Sequence, residues 1–132
     1  MKSQLILLVF MSLLLFNGCE NNQTTGQETL TLAVSVGSTP AEYTKGEALF
    51  NAKCAPCHGV VAKGTDHGPP FISKIYEPNH HGDFSFHRAV QQGVQAHHWQ
   101  FGNMPKIEGV SEQDVNEIIA YVRWLQRQAG IF

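Results

Sequence analysis

Apolar residues recur at intervals of three and four over Val115, Ile118, Ile119, Val122 and Leu125 and stop at Gly130. That spacing predicts an amphipathic helix of about four turns. Ser111, followed three residues later by Asp114, supplies a near capping box at its start. A shorter run, Phe86, Ala89 and Val90, closed by Gly93, predicts a helix of about two turns with Asp83 or Ser85 as its cap. Upstream, Thr39-Pro40-Ala41-Glu42 reads as a helix start, with a capping threonine and proline at the first helical position. That helix continues through Tyr43, Gly46, Ala48, Leu49 and Phe50 to about Lys53. Gly46 costs roughly 1 kcal/mol in a helix interior relative to alanine, which implies a close helix contact there. Residues 59–82 contain Gly64, Gly68, Pro69, Pro70, Pro78 and Gly82. They forbid a long regular element and predict loops with a short helical turn near Ile72. One stretch has the period of a strand, Leu30, Leu32, Val34 and Val36, but nothing in the sequence offers it a pairing partner. The prediction is an all-α fold.

The N-terminal pattern changes the domain picture. Lys2 and the apolar run Leu5 to Phe16 form a targeting signal, since the run is too short to span a bilayer comfortably. It ends in Phe16-Asn17-Gly18-Cys19, which resembles a bacterial lipobox although leucine is more usual where Phe16 stands. Cys19 is then the lipidated new N-terminus, and the alternative is ordinary secretion with a free thiol. The chain therefore divides into a lipoprotein-type signal peptide (1–18), a lipidated tether rich in Asn, Gln, Thr and Gly (19–38), and a folded domain (39–132). Several acyl chains on Cys19 would hold the exported domain at the periplasmic or extracytoplasmic face of a membrane. Composition adds little beyond a soluble domain with no basic patch for nucleic acid. Losing Lys2 with the leader leaves 8 Lys+Arg against 11 Asp+Glu, a formal −3, which favours partners with basic docking faces.

The chemistry is concentrated in Cys54-Ala55-Pro56-Cys57-His58. Two thiols on one turn can form thioethers to the two vinyl groups of a haem, and the adjacent imidazole then lies under the iron as proximal ligand. A zinc site would need a second pair of ligands at matching spacing, and a thioredoxin-like pair would need strands that this region lacks. A sixth ligand decides between electron transfer and chemistry on a bound molecule. Met1 and Met11 lie in the leader, so a methionine ligand must be Met104, in Phe101-Gly102-Asn103-Met104-Pro105, where Gly102 and Pro105 suit a tight loop. The chain holds 7 histidines, and His97 and His98, just before that loop, are rivals to Met104. His67, His80, His81 and His87 read as surface groups. Adjacent His80 and His81 could belong to a copper or zinc site, but no carboxylate or thiol cluster accompanies them in sequence. Trp99 and Arg88 are candidates for bonding a haem propionate, with core packing as the alternative for Trp99.

Taken together, Gly46 with Phe50, Cys54 to Gly59, Gly68-Pro69-Pro70, Gly102 to Pro105 and the aromatic-bearing last helix resemble the class I cytochrome c family from about Thr39 to Phe132. The resemblance implies a small helical fold wrapped around one covalent haem c. It implies that the first and last helices cross at Gly46, with Phe50 meeting Tyr121 or Trp124. It also implies that the carbonyl of Pro69 bonds the proximal His58, and that Phe71, where leucine is more common, packs on the haem. The function implied is one-electron carriage between redox proteins of a respiratory or periplasmic system, with iron ligated by His58 and Met104 and no small-molecule substrate. Two alternatives stay open. One is a haem relay subunit of a larger oxidoreductase, docked through Leu30 to Val36. The other is a haem enzyme or gas sensor in which Met104 dissociates and His97 or His98 acts at the iron.

Overall fold

Four α-helices and three short 3-10 turns make up the computed structural model, which describes residues 37–132. The stretches read from the sequence as a signal peptide and a lipidated tether, with Cys19 and Leu30 to Val36, lie, up to residue 36, outside the described residues. The helices are α1 (Thr44–Lys53), α2 (Ala55–His58), α3 (Asp83–Gln92) and α4 (Glu112–Gln128). The 3-10 turns are Ala41–Tyr43, Val60–Ala62 and Lys74–Tyr76. Among the described residues the only β pairing is an isolated bridge between Val94 and Met104. The all-α expectation stands.

Helix α4 starts where its side chains make it start. The Ser111 hydroxyl accepts from the Asp114 backbone N–H at 3.2 Å, and the Asp114 carboxylate accepts from the Ser111 N–H at 3.2 Å. This reciprocal cap satisfies two of the donors that a helix N-terminus leaves free. Val115, Ile118, Ile119, Val122 and Leu125 are all buried. The helix is more enclosed than a single apolar stripe predicts, for every residue from Tyr121 to Gln126 is buried. Helix α1 covers one side, and the loop from Phe71 to His81 packs on another.

The α1–α4 crossing turns on Gly46. A Cβ at this position would collide with the backbone carbonyl oxygen of Glu117 and lie 2.9 Å from the Tyr121 Cβ. Glycine thus lets the two backbones touch, and aromatic rings fill the space on either side. Phe50 meets Tyr121 with centroids 5.6 Å apart, while Tyr43 stacks on Trp124 at 5.7 Å. Phe50, Tyr121 and Val122 are fully buried at this junction.

Two predicted helix starts differ from those observed. Thr39 does not cap the first helix. Pro40 precedes the 3-10 turn, no side-chain cap is formed, and α1 begins only at Thr44. The tighter first turn belongs to the segment that seats Tyr43 on Trp124, so tertiary packing overrides the local start signal. Nor does Asp83 or Ser85 cap α3, whose N-cap is Gly82. The Asp83 carboxylate is taken instead by Arg123 Nε at 2.9 Å, and the Ser85 hydroxyl donates back to the Gly82 carbonyl at 2.7 Å.

Arg123 and Gln126 pin the long loop to α4. Arg123 Nη1–H groups donate to the Tyr76 carbonyl and to Gln126 Oε1, each at 2.7 Å, and Nη2 donates to the His81 carbonyl at 2.5 Å. Gln126 Nε2 donates to the carbonyls of Phe71 at 2.8 Å and Tyr76 at 2.9 Å. Both side chains are buried. The loop meets some of its carbonyls with its own N–H groups, and these two side chains satisfy those of Phe71, Tyr76 and His81 from the helix.

Candidate functional site

Helix α1 delivers the chain directly to the thiol pair. The Cys54 N–H still donates to the Phe50 carbonyl at 2.8 Å, and α2 is then a single turn ending at His58, whose N–H donates to the Cys54 carbonyl at 2.9 Å. Cys54, Cys57 and His58 are thereby held on one rigid turn. Cys54 is half-buried and Cys57 is exposed. Burial, with a smaller contribution from the charge of Cys57, pushes the Cys54 thiol up to about 11, so it remains protonated at neutral pH.

His58 is only 7% exposed. Its burial lowers its pKa, opposed in part by its bond to Pro69, and favours the neutral ring. Its Nδ1 lies 2.9 Å from the Pro69 carbonyl oxygen. A carbonyl only accepts, so Nδ1 carries the proton and Nε2 keeps a free lone pair. Pro69 is placed by a loop laced onto α2. Gly64 N–H donates to the His58 carbonyl at 2.6 Å, the Thr65 hydroxyl to the Cys57 carbonyl at 2.6 Å, and Thr65 N–H to the Gly68 carbonyl at 3.0 Å. Phe71 stacks on the His58 ring at 4.1 Å and meets Phe50, Tyr76 and Phe86 edge-on.

Met104 is held from the other end of the domain. It exchanges both backbone hydrogen bonds with Val94, each at 2.9 Å, just beyond the end of α3. Gly93 makes this possible at φ 76, since a Cβ there would lie 2.5 Å from the Met104 carbonyl oxygen. The Asn103 side chain accepts from the Ala96 N–H at 2.9 Å, and Ile107 N–H donates to the Val90 carbonyl at 2.9 Å. The loop is therefore braced before and after the methionine.

These elements enclose a cavity of about 670 Å³. Its walls include Cys54, Cys57, His58, Pro69 and Met104, five residues singled out from the sequence. Phe71, Arg88, Trp99, His81, His97 and His98 also line it. Trp99 Nε1–H is buried beside the Tyr76 hydroxyl and makes no hydrogen bond of good geometry among the described residues. A buried donor without a well-aligned partner, facing the cavity, suits a carboxylate such as a haem propionate. Two thiols on one turn, a neutral imidazole with its lone pair free, a thioether and a buried N–H donor form a donor set that fits a covalently attached haem.

The remaining histidines separate into two groups. His67 lies beside Asp66 on the surface, and His87 Nε2 bonds the Asn116 side chain at 2.9 Å. His80, His81, His97 and His98 instead converge, with ring centroids of 4.7 Å for His80–His81 and 4.3 Å for His97–His98. Sequence reasoning did not bring these four together, nor did it find Arg123 and Gln126. The signal for the last two is a pair of polar residues three apart among the apolar positions of the last helix.

A family model described as cytochrome c matches residues 43–126, more than half of the chain. No curated protein and no solved structure matches. The matched span runs from the 3-10 turn ahead of α1 to Gln126 in α4 and takes in every cavity residue named above.

Proposed function

This chain belongs to the cytochrome c family, with haem c as its covalent cofactor, and from that premise we propose that it is an exported one-electron carrier with iron held by His58 and Met104. The observation that carries this reading is that both thiols, His58 and Met104 line one cavity. When bound, the haem supplies an iron that changes its charge by one electron. Cys54 and Cys57 hold it through thioethers. His58 presents Nε2, and the Nδ1–H bond to the Pro69 carbonyl at 2.9 Å fixes the ring and raises its basicity. Met104 presents a neutral thioether, which favours the ferrous form and raises the potential. With both donors engaged, no position is left for a substrate. Trp99 Nε1–H and Arg88, which line the cavity, would take the propionates, and the aromatic wall of Phe71 and Phe86 would exclude water. Redox proteins dock weakly over a small area, steered by charge, with the domain tethered by residues 19–38 to lipid on Cys19. Among the described residues no helix is long and apolar enough to cross a membrane.

A second reading, a haem enzyme or gas sensor with a labile Met104, draws on one observation. His97 and His98 line the same cavity and could serve as acid or base there. Carbon monoxide separates the two. The reduced, haem-loaded protein is expected to keep its absorption spectrum under carbon monoxide at neutral pH. Prompt conversion to a carbon monoxide-bound spectrum would sink the closed carrier and favour the sensor or enzyme.

A further inference from the structure

His80, His81 and His98 each bring a ring nitrogen to within 4.8 Å of the other two. They come from two loops, one before α3 and one after it. His80 Nε2 and His98 Nε2 stand 3.3 Å apart. That separation matches the edge of a tetrahedron of nitrogens around an ion with bonds of about 2.0–2.1 Å. His81 Nδ1 is committed to the Ile75 carbonyl at 2.5 Å, so its Nε2 carries the lone pair. A backbone carbonyl on the other ring nitrogen is the arrangement that metal-bound histidines usually take. The supporting backbone is braced, because Arg123 donates to the carbonyls of Tyr76 at 2.7 Å and His81 at 2.5 Å. Three clustered imidazoles have no structural task as a core, for His80 and His98 are exposed.

We propose that His80, His81 and His98 bind a late first-row divalent cation of the zinc or copper class, with the fourth position open to solvent. The all-imidazole donor set excludes calcium and magnesium, which take oxygen ligands, and suits zinc and copper. His81 and His98 also line the cavity of the functional site, so the cation would sit at its edge. The site is separate from iron ligation by His58 and Met104.

The test is calorimetric titration of the haem-loaded protein with zinc chloride in a non-chelating buffer. Wild type is expected to bind one equivalent. Removing even an outer-shell partner of a metal ligand costs roughly 10–100-fold in affinity, so loss of a ligand in His80→Ala or His98→Ala should cost at least that. His87→Ala, which removes an imidazole outside the cluster, should bind as wild type does. Weak binding of several equivalents that survives His98→Ala would mean adventitious binding to surface histidines and would overturn the site. The absorption spectrum of metal-free His98→Ala provides a second arm. It is expected to match wild type, and a change of axial ligation in that variant would assign His98 to the iron and overturn the proposal.

Discussion

Gly46→Ala is expected to destabilise the haem-loaded domain by about 2–3 kcal/mol, against the local preference of its helix. In an exposed helix, alanine for glycine gains roughly 1 kcal/mol. Here the new methyl group collides with the Glu117 carbonyl oxygen and lies 2.9 Å from the Tyr121 Cβ. The first obstacle is backbone, which cannot rotate away, so α1 and α4 must separate. Separation loosens the contacts of Phe50 with Tyr121 and of Tyr43 with Trp124, which pack the same crossing. The measurement is the denaturant midpoint, with an unchanged slope to show that the same structure is unfolding. A midpoint equal to or above wild type would mean that the helices do not meet at Gly46.

Arg123→Leu should cost about 2–4 kcal/mol, since each buried acceptor left without its donor costs about 1–3 kcal/mol. The leucine can fill much of the volume, but it donates nothing. Tyr76 loses one donor and keeps Gln126, whereas the His81 carbonyl loses its Arg123 Nη2 donor. The Asp83 carboxylate also loses its cation, though as it is largely exposed, water can replace that partner. The cost therefore lies in the loop carbonyls and in Gln126 Oε1, which is buried and accepts from Arg123. Denaturant unfolding of the haem-loaded variant measures it. A loss below about 1 kcal/mol, the size of a single neutral hydrogen bond, would show that the loop is held by packing instead.

Legibility in the sequence followed the range of the interaction. The start of α4 was readable because Ser111 and Asp114 act within one turn, and its stop because Gly130 ends a clear apolar repeat. The haem turn was readable for the same reason, since Cys54, Cys57 and His58 are positioned by five consecutive residues. Gly46 showed itself as a helix residue whose cost needed a contact, and the contact is there. The starts of α1 and α3 were misread where a distant partner decides the outcome. Tyr43 is engaged by Trp124, and Asp83 by an arginine 40 positions away. The histidine cluster was beyond reach on similar grounds. His80 and His98 are 18 residues apart on loops without periodicity, so no spacing rule could bring their nitrogens together.

The central claim, that His58 and Met104 would together hold the haem iron and leave it closed, is tested most directly by the optical spectrum of the oxidised, haem-loaded domain. The weak far-red sulfur-to-iron charge-transfer band is expected in wild type and should vanish in Met104→Ala. A wild-type spectrum without that band would contradict the claim. A low-spin spectrum would then assign His97 or His98 to the iron, and a high-spin one would mean an open site.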